Sequence, residues 1–331
     1  MKKLLLLLIS FLIGIGLFFW ILKVVGWSAI KKAFLVFTGW QGLVILGLTL
    51  LMMMIGTWKW KEILKGSGIK ISFKDLLNPY LAGFSVMFLA PVLLWGGEIF
   101  RSYVLKERYS VPWPKGMASV IIDRILEWTA NLAVIFLGGL FFLFSIGLPP
   151  LKLGIVFGGV FLIFLFGISF FYFKSVRKES MLFFIRNKHN QPFDTEKEIF
   201  KFFKLKNAAM WKGISLAFLR AATMCFRAWM LILFLGKSIG ALPALSILGF
   251  SYLAVMIPIP TALGSHEAIQ TFAFNALGLG VSTATAFTMI QRGAELIVAL
   301  IGVVILFRLG IFLIKNILFK KLNNFARNNE V

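Results

Sequence analysis

The sequence predicts an all-α integral membrane protein of about six transmembrane helices plus two re-entrant hairpins, arranged as an inverted repeat. Three observations carry this expectation. The 331 residues are 60% hydrophobic and only 15% charged, too few polar side chains to cover a water-facing surface, since soluble chains carry roughly 25% charge. Six apolar runs approach or exceed the roughly 17–25 residues that cross hydrocarbon. One charged pattern also occurs twice, once in each half of the chain.

The apolar runs lie at 4–22, 42–58, 117–144, 153–173, 211–236 and 283–313. The first follows Lys2 and Lys3 and has no A-x-A cleavage site after it, so an uncleaved helix is expected. Two further apolar stretches are interrupted by Pro and Gly. The stretch 80–97 contains Pro91, Gly96 and Gly97, and 241–279 contains Pro243, Pro258, Pro260 and Gly264. Broken backbone survives at membrane depth only where protein or a polar cavity satisfies it, so both read as re-entrant hairpins, hinged at Pro91, Gly96, Gly97, Pro258, Pro260 and Gly264.

Net charge is +22, from 35 Lys+Arg against 13 Asp+Glu. The basic residues gather between the runs. Loop 59–79 holds Lys59, Lys61, Lys65, Lys70 and Lys74, loop 98–116 holds Arg101, Lys106, Arg108 and Lys115, and 174–210 holds nine Lys/Arg. Loops 145–152 and 237–243 hold one each, Lys152 and Lys237, and 23–41 holds three. The positive-inside rule then places the first group and both termini in the cytoplasm. The expected site of residence is the cell (inner) membrane. Nucleic acid is not an expected partner, because no basic module stands apart from the spans. The domains expected are a first repeat at 1–144, a linking span and basic loop at 145–210, the rest of the second repeat at 211–313, and a basic tail at 314–331. Span 153–173 belongs to the second repeat.

Segment 174–210 mixes basic residues with Phe183, Phe184, Ile185, Phe200, Phe202, Phe203 and Leu205. That composition suits a helix lying in the cytoplasmic interface; a solvated loop with a few buried aromatics is the alternative.

The repeated pattern is a charge grammar. Pro91 precedes Glu98 by seven residues and Pro260 precedes Glu267 by seven. Arg124 and Glu127 recur as Arg292 and Glu295, offset by 168. Each half would read span, span, hairpin, span, the second starting from the opposite side. Inverted repeats whose broken elements meet near the midplane are a transporter arrangement. Five acids (Glu98, Asp123, Glu127, Glu267, Glu295) and five arginines (Arg101, Arg124, Arg220, Arg227, Arg292) lie in or beside apolar runs. A charge at mid-span costs about 2.5–3.5 kcal/mol on insertion scales, so these should face the bundle interior. Asp123 and Glu127 share a helix face, as do Arg220 and Arg227. Together they would form a polar path for a charged head group, with arginines gripping phosphate through forked hydrogen bonds. Static ion pairs locking helices together are the alternative. Five against five leaves the head-group charge open.

Other chemistry finds little support. Cys225 is the sole cysteine, His189 and His266 are far apart, and no metal cluster or GxxxxGK[ST] loop occurs, so no cofactor is expected. His266 beside Glu267 reads as a polar cap or a proton-linked switch. Gly154 and Gly158 form a GxxxG of the ordinary helix-packing kind.

Gly96-Gly97-Glu98-Ile99-Phe100-Arg101 followed by Ser119-Val120-Ile121-Ile122-Asp123-Arg124 resembles one signature of the lysylphosphatidylglycerol synthase transmembrane (flippase-like) family. The stretch Pro258-Ile259-Pro260-Thr261-Ala262-Leu263-Gly264-Ser265-His266-Glu267 with Gln291-Arg292-Gly293-Ala294-Glu295 is similar to a second. The resemblance covers nearly the whole chain. It implies a membrane domain that moves aminoacylated or other glycerophospholipids between leaflets, or handles polyprenyl-linked glycolipids. Asp123 departs from the Glu of many members, and Ser265-His266 is a variable pair. Within 331 residues nothing after the last span has room for an aminoacyl-transferring domain, so that activity is not expected. The expectation is a lipid flippase-like transporter whose partners are membrane lipids, anionic or aminoacylated phospholipids among them. The oligomeric state is open. A membrane enzyme or accessory scaffold acting on polyprenyl- or glycerol-lipid-linked substrates is the alternative.

Overall fold

The computed structural model describes residues 39–89, 96–177, 190–204, 206–256 and 265–328. The expected span 4–22, the hinge residues Pro91, Pro258, Pro260 and Gly264, and the loop residues Phe183, Phe184, Ile185, His189 and Leu205 lie outside them. Among the described residues all regular structure is helical. The helices are α1 (Trp40–Gly66), α2 (Phe73–Leu89), α3 (Gly96–Tyr109), α4 (Trp113–Ser145), α5 (Leu151–Arg177), α6 (Asn190–Phe202), α7 (Ala208–Phe234), α8 (Ala241–Met256), α9 (Ser265–Ala276) and α10 (Val281–Asn328).

Five of them are long and apolar enough to cross a membrane: α1, α4, α5, α7 and the Val281–Gly310 part of α10. Each falls on a run expected from the sequence. α5 shows what surrounds the bundle. Ile155, Leu162, Ile163, Phe166 and Val176 are exposed along it, and a face this apolar needs lipid against it. Gly158 of α5 faces open space and Gly154 meets only Pro149. The GxxxG is therefore not a packing seam among the described residues, contrary to expectation.

Helix ends depart from the apolar runs in three places. α1 continues to Gly66, so Lys59, Lys61 and Lys65 ride on a helix and not in a loop. Hydropathy drops at Trp58-Lys59-Trp60-Lys61, but backbone hydrogen bonding continues past the last apolar turn. α2 begins at Phe73, inside the expected loop. Ser72 caps it: its hydroxyl donates to Asp75 Oδ2 at 2.7 Å and accepts from the Asp75 amide at 3.2 Å, the S-x-x-D signature of a helix start. α10 runs unbroken to Asn328, so the basic segment expected as a tail from 314 is helical through that residue.

The two broken stretches each form a pair of antiparallel helices. In the first, Gly83 of α2 lies against Gly97 of α3, and the Tyr109 hydroxyl donates to the Asp75 carbonyl at 3.3 Å where the pair opens. In the second, Gln270 of α9 donates to Ser251 of α8, and Ile247 and Phe274 share one apolar cluster. At 1.5 Å per residue these helices span roughly 18–26 Å, less than the roughly 30 Å of hydrocarbon.

The packing scheme has a two-fold logic. Exchanging α1 with α7, α2 with α8, α3 with α9 and α4 with α10 maps packed pairs onto packed pairs. α4 packs on α8 as α10 packs on α2, α3 on α4 as α9 on α10, and α1 on α2 as α7 on α8. The crossings match in register. Gly249 of α8 sits on Ile135 of α4, and Gly302 of α10 sits on Leu81 of α2, positions related by the offset of the charge pattern to within one residue. α1 and α7 exchange with each other and pack together. They run antiparallel, since Gly66 meets Ala209 while Thr49 meets Arg227.

These contacts gather the C-terminal end of α1, the open end of the α2–α3 pair and the N-terminal end of α7 at one end of the bundle. There lie Lys61, Lys65, Lys70, Lys74, Lys106, Arg108 and Lys115. α6 caps this basic end. Ile199, Phe202 and Phe203 bury its apolar face on Ile63, Gly66, Gly213, Phe171 and Tyr172. The expected amphipathic helix is present, but its aromatic face is seated on protein.

Candidate functional site

Six of the charged residues singled out by sequence, Glu98, Arg101, Asp123, Arg124, Glu127 and Arg220, gather on α4. α4 can carry three charges in five residues because Asp123, Arg124 and Glu127 all find partners on neighbouring helices. Glu127 is the hub. Arg220 of α7 and Arg124 both donate to it, Arg124 NH1 at 3.3 Å, and the Lys59 ammonium of α1 lies 3.8 Å away. Three cations from three helices therefore face one carboxylate.

Asp123 is fully buried and bridges two more cations. Lys59 Nζ lies 3.0 Å from its Oδ1 and donates to its carbonyl oxygen at 3.2 Å, and Arg101 NH1 donates to Oδ2 at 2.9 Å. The Arg101 guanidinium also stacks 4.0 Å from the Trp60 ring centroid and 4.7 Å from that of Tyr80, a cation–π arrangement worth about 2 kcal/mol when desolvated. Trp60 is fixed in turn by its indole N–H, which donates to Ser119 Oγ at 3.1 Å. Glu98, near the start of α3, accepts from Arg124 Nε through one oxygen. Its second oxygen is buried with no hydrogen-bond partner among the described residues. The Gly83–Gly97 contact brings α3 close enough for this: a Cβ on Gly97 would fall against the Gly83 carbonyl.

A second group lies one helix over. Arg227 of α7 donates to Glu295 of α10 at 2.8 Å and to Thr49 of α1 at 3.0 Å. Between Arg220 and Arg227 on the same face of α7, Met224 accepts a hydrogen bond from the Tyr252 hydroxyl at 3.1 Å. Arg292 stands one turn before Glu295 on α10, half-buried. Glu267 and His266 lie in the first turn of α9, and their side chains fall outside the described residues, as do any partners they make.

Of the ten residues expected to line a polar path, the structure thus joins eight in two paired groups: Glu98, Arg101, Asp123, Arg124, Glu127 and Arg220 in one, Arg227 with Glu295 in the other. Met224 and Tyr252 lie between Arg227 and the Glu127 group. The expectation of separate phosphate-gripping arginines is modified in one respect: Arg220 and Arg227 each hold a different glutamate.

Lys59 was missed. The sequence places it among cytoplasmic loop charges, yet it is fully buried. A signal existed. Lys59 and Arg227 are separated by 168 residues, the same offset that relates Glu127 to Glu295. Lys59 faces Glu127 as Arg227 faces Glu295. The symmetry is incomplete in an informative way. Arg101 and Asp123 of the first half correspond to Gln270 and Gln291 of the second, so a charged pair on one side stands where two amides stand on the other.

Each of these charges would be costly alone in a low-dielectric interior, and pairing offsets most of that cost. Among the described residues no three His, Cys, Asp or Glu side chains cluster to hold a metal. What the arrangement can do is exchange partners: a carboxylate held by several guanidinium groups can release one to an incoming anion.

Comparison with known proteins agrees with the motifs. Residues 7–302 match the family described as lysylphosphatidylglycerol synthase TM region, so the chain belongs to this family. It is similar to the UPF0104 membrane protein MJ1595 of Methanocaldococcus jannaschii, 25% identical over 319 residues that cover 88% of this chain and 90% of that one. No solved structure matches.

Proposed function

We propose that this member of the lysylphosphatidylglycerol synthase TM region family is a flippase-like transporter that moves a phospholipid or lipid-linked head group between leaflets, without covalent chemistry of its own. The observation that carries this reading is the Glu127 hub, where Lys59, Arg124 and Arg220 meet one half-buried carboxylate at the junction of α1, α4 and α7. Charge is retained in a membrane interior at a cost, and an ion or head-group path is the usual reason for it.

The exchange symmetry of the packing supports an inverted repeat, with α2–α3 and α8–α9 as its re-entrant hairpins. Transporters of that build place their substrate at the repeat interface, with broken helices beside it. The head group enters between the hairpins while its tails stay in lipid. Counting Lys59 changes the balance of the charges that lie in or beside the spans: six cations (Lys59, Arg101, Arg124, Arg220, Arg227, Arg292) stand against five acids (Glu98, Asp123, Glu127, Glu267, Glu295). The surplus favours a head group that brings a phosphate, anionic or aminoacylated. By the positive-inside rule the basic end faces the cytoplasm, in keeping with the expectation of cytoplasmic termini and a cell-membrane location.

The test is liposomes carrying fluorescent phospholipids of several head groups, read by an impermeant quencher, with wild type, Glu127→Gln and empty vesicles side by side. Quenching beyond the outer-leaflet share, lost in Glu127→Gln, supports translocation and ranks head groups. Equal quenching in wild-type and empty vesicles, for every head group, removes the proposal of unassisted flipping.

A further inference from the structure

Apart from the buried charges, the structure holds an open pocket of about 190 Å3 lined by Asn78, Arg108, Ile305, Arg308 and Leu309. It lies at the basic end, where α2, α3 and α10 meet. Arg108 is one residue from the end of α3, and Asn78 is in the second turn of α2. Arg308 is the first charge on α10 after Glu295, beyond twelve uncharged residues. Thirteen residues of helix place it roughly 20 Å along the axis from Glu295. With Glu295 near mid-bilayer, that is the depth of the head groups, since half the hydrocarbon is about 15 Å.

The lining is chemically divided. Ile305 and Leu309 are one turn apart and form an apolar side, with Leu309 buried. Arg308 is exposed. Arg108 is one-third exposed, its guanidinium 5.5 Å from the Tyr109 ring centroid and 3.9 Å from Asp75 Oδ1. Two guanidinium groups thus line one pocket, with the Asp75 carboxylate beside one of them. The amide of Asn78 adds a neutral donor.

We propose that this pocket binds the phosphate of an anionic phospholipid in the leaflet at the basic end. The two arginines grip the phosphate oxygens through forked, charge-assisted hydrogen bonds. Asn78 donates to a remaining oxygen, and the glycerol end of the lipid rests on Ile305 and Leu309. The volume suits a phosphate and its linkage, being smaller than the roughly 300–1,000 Å3 of whole-ligand pockets. Basic pockets between transmembrane helices on the cytoplasmic side recognise acidic lipid head groups in this manner. The site shares no residue with the Glu127 hub, so it stands or falls independently of the transport reading.

The experiment is native mass spectrometry of the full chain in detergent, titrated with phosphatidylglycerol or phosphatidylcholine. Wild type is compared with Arg108→Gln/Arg308→Gln and with a charge-matched control, Lys65→Gln/Lys70→Gln, which alters two exposed lysines at the same end. The expected result is about tenfold weaker phosphatidylglycerol retention in the arginine variant, unchanged retention in the control and no preference for phosphatidylcholine. Arg308→Gln alone, at an exposed position, covers the case in which the double variant fails to fold, and a several-fold loss is expected there. Equal loss in the lysine control overturns the site in favour of diffuse surface attraction. Retention of inorganic phosphate without retention of phosphatidylglycerol overturns it in favour of a soluble anion.

Discussion

Lys59 of α1 and Arg227 of α7 occupy the same position in the two halves of the chain, and each is the buried cation that reaches the glutamate of its own half's long helix. Lys59 also holds Asp123 at 3.0 Å, and this second contact sets the first prediction. Lys59→Met leaves a fully buried aspartate with only Arg101 against it. Removing one partner of a buried pair costs about 3–5 kcal/mol. A fall of that size is expected in denaturant unfolding of the detergent-solubilised protein, with Lys59→Arg losing much less. A loss within about 0.5 kcal/mol, the range of ordinary surface substitutions, would show that Asp123 does not depend on this cation.

Arg101 and Asp123 stand where the second half has Gln270 and Gln291. Arg101→Gln/Asp123→Gln gives the first half the amides of the second. Removing both members of a buried ion pair is often neutral, whereas removing one is not. Asp123→Gln alone, which takes the close carboxylate from both Lys59 and Arg101, should therefore destabilise more than the double variant, which leaves only Lys59 so placed. The reverse order in thermal melting would mean that the two halves do not share this environment.

Gly97 can sit against Gly83 because neither has a side chain. In Gly97→Val the Cβ meets the Gly83 carbonyl oxygen, which is backbone and cannot swing aside. α3 must move away from α2, carrying Glu98 off Arg124. Overpacking of this kind costs about 1–3 kcal/mol. Transport should fall with stability, and Gly97→Ala should show a smaller loss of both. Wild-type melting in Gly97→Val would rule out the close crossing.

Arg292 is placed on α10 one turn before Glu295, without the deep burial of Lys59 or Arg227. Arg292→Ala should abolish lipid translocation in the vesicle assay while melting stays within a few degrees of wild type. Undiminished translocation by the folded variant would remove Arg292 from the path.

The sequence by itself determined the environment, the helices and the charged residues. Runs of apolar residues longer than a bilayer is thick admit little but membrane helices, and five of them stand where expected. The repeated pattern of Pro, Glu, Arg and Glu marks Glu98, Arg124, Glu127, Arg292 and Glu295 in the linear sequence. Tertiary structure decided who pairs with whom. Hydropathy ends a span at its first charges, so Lys59 read as a loop residue, although its helix continues and turns it inward onto Asp123. The start of α2 was hidden likewise, because the Ser72–Asp75 cap lay within a stretch dominated by lysines. Pairing across helices depends on crossing points such as Gly83 on Gly97 and Gly249 on Ile135. A linear pattern records which face of a helix carries charge, but only the distance between two packed backbones decides whether a lysine on one reaches a carboxylate on the other.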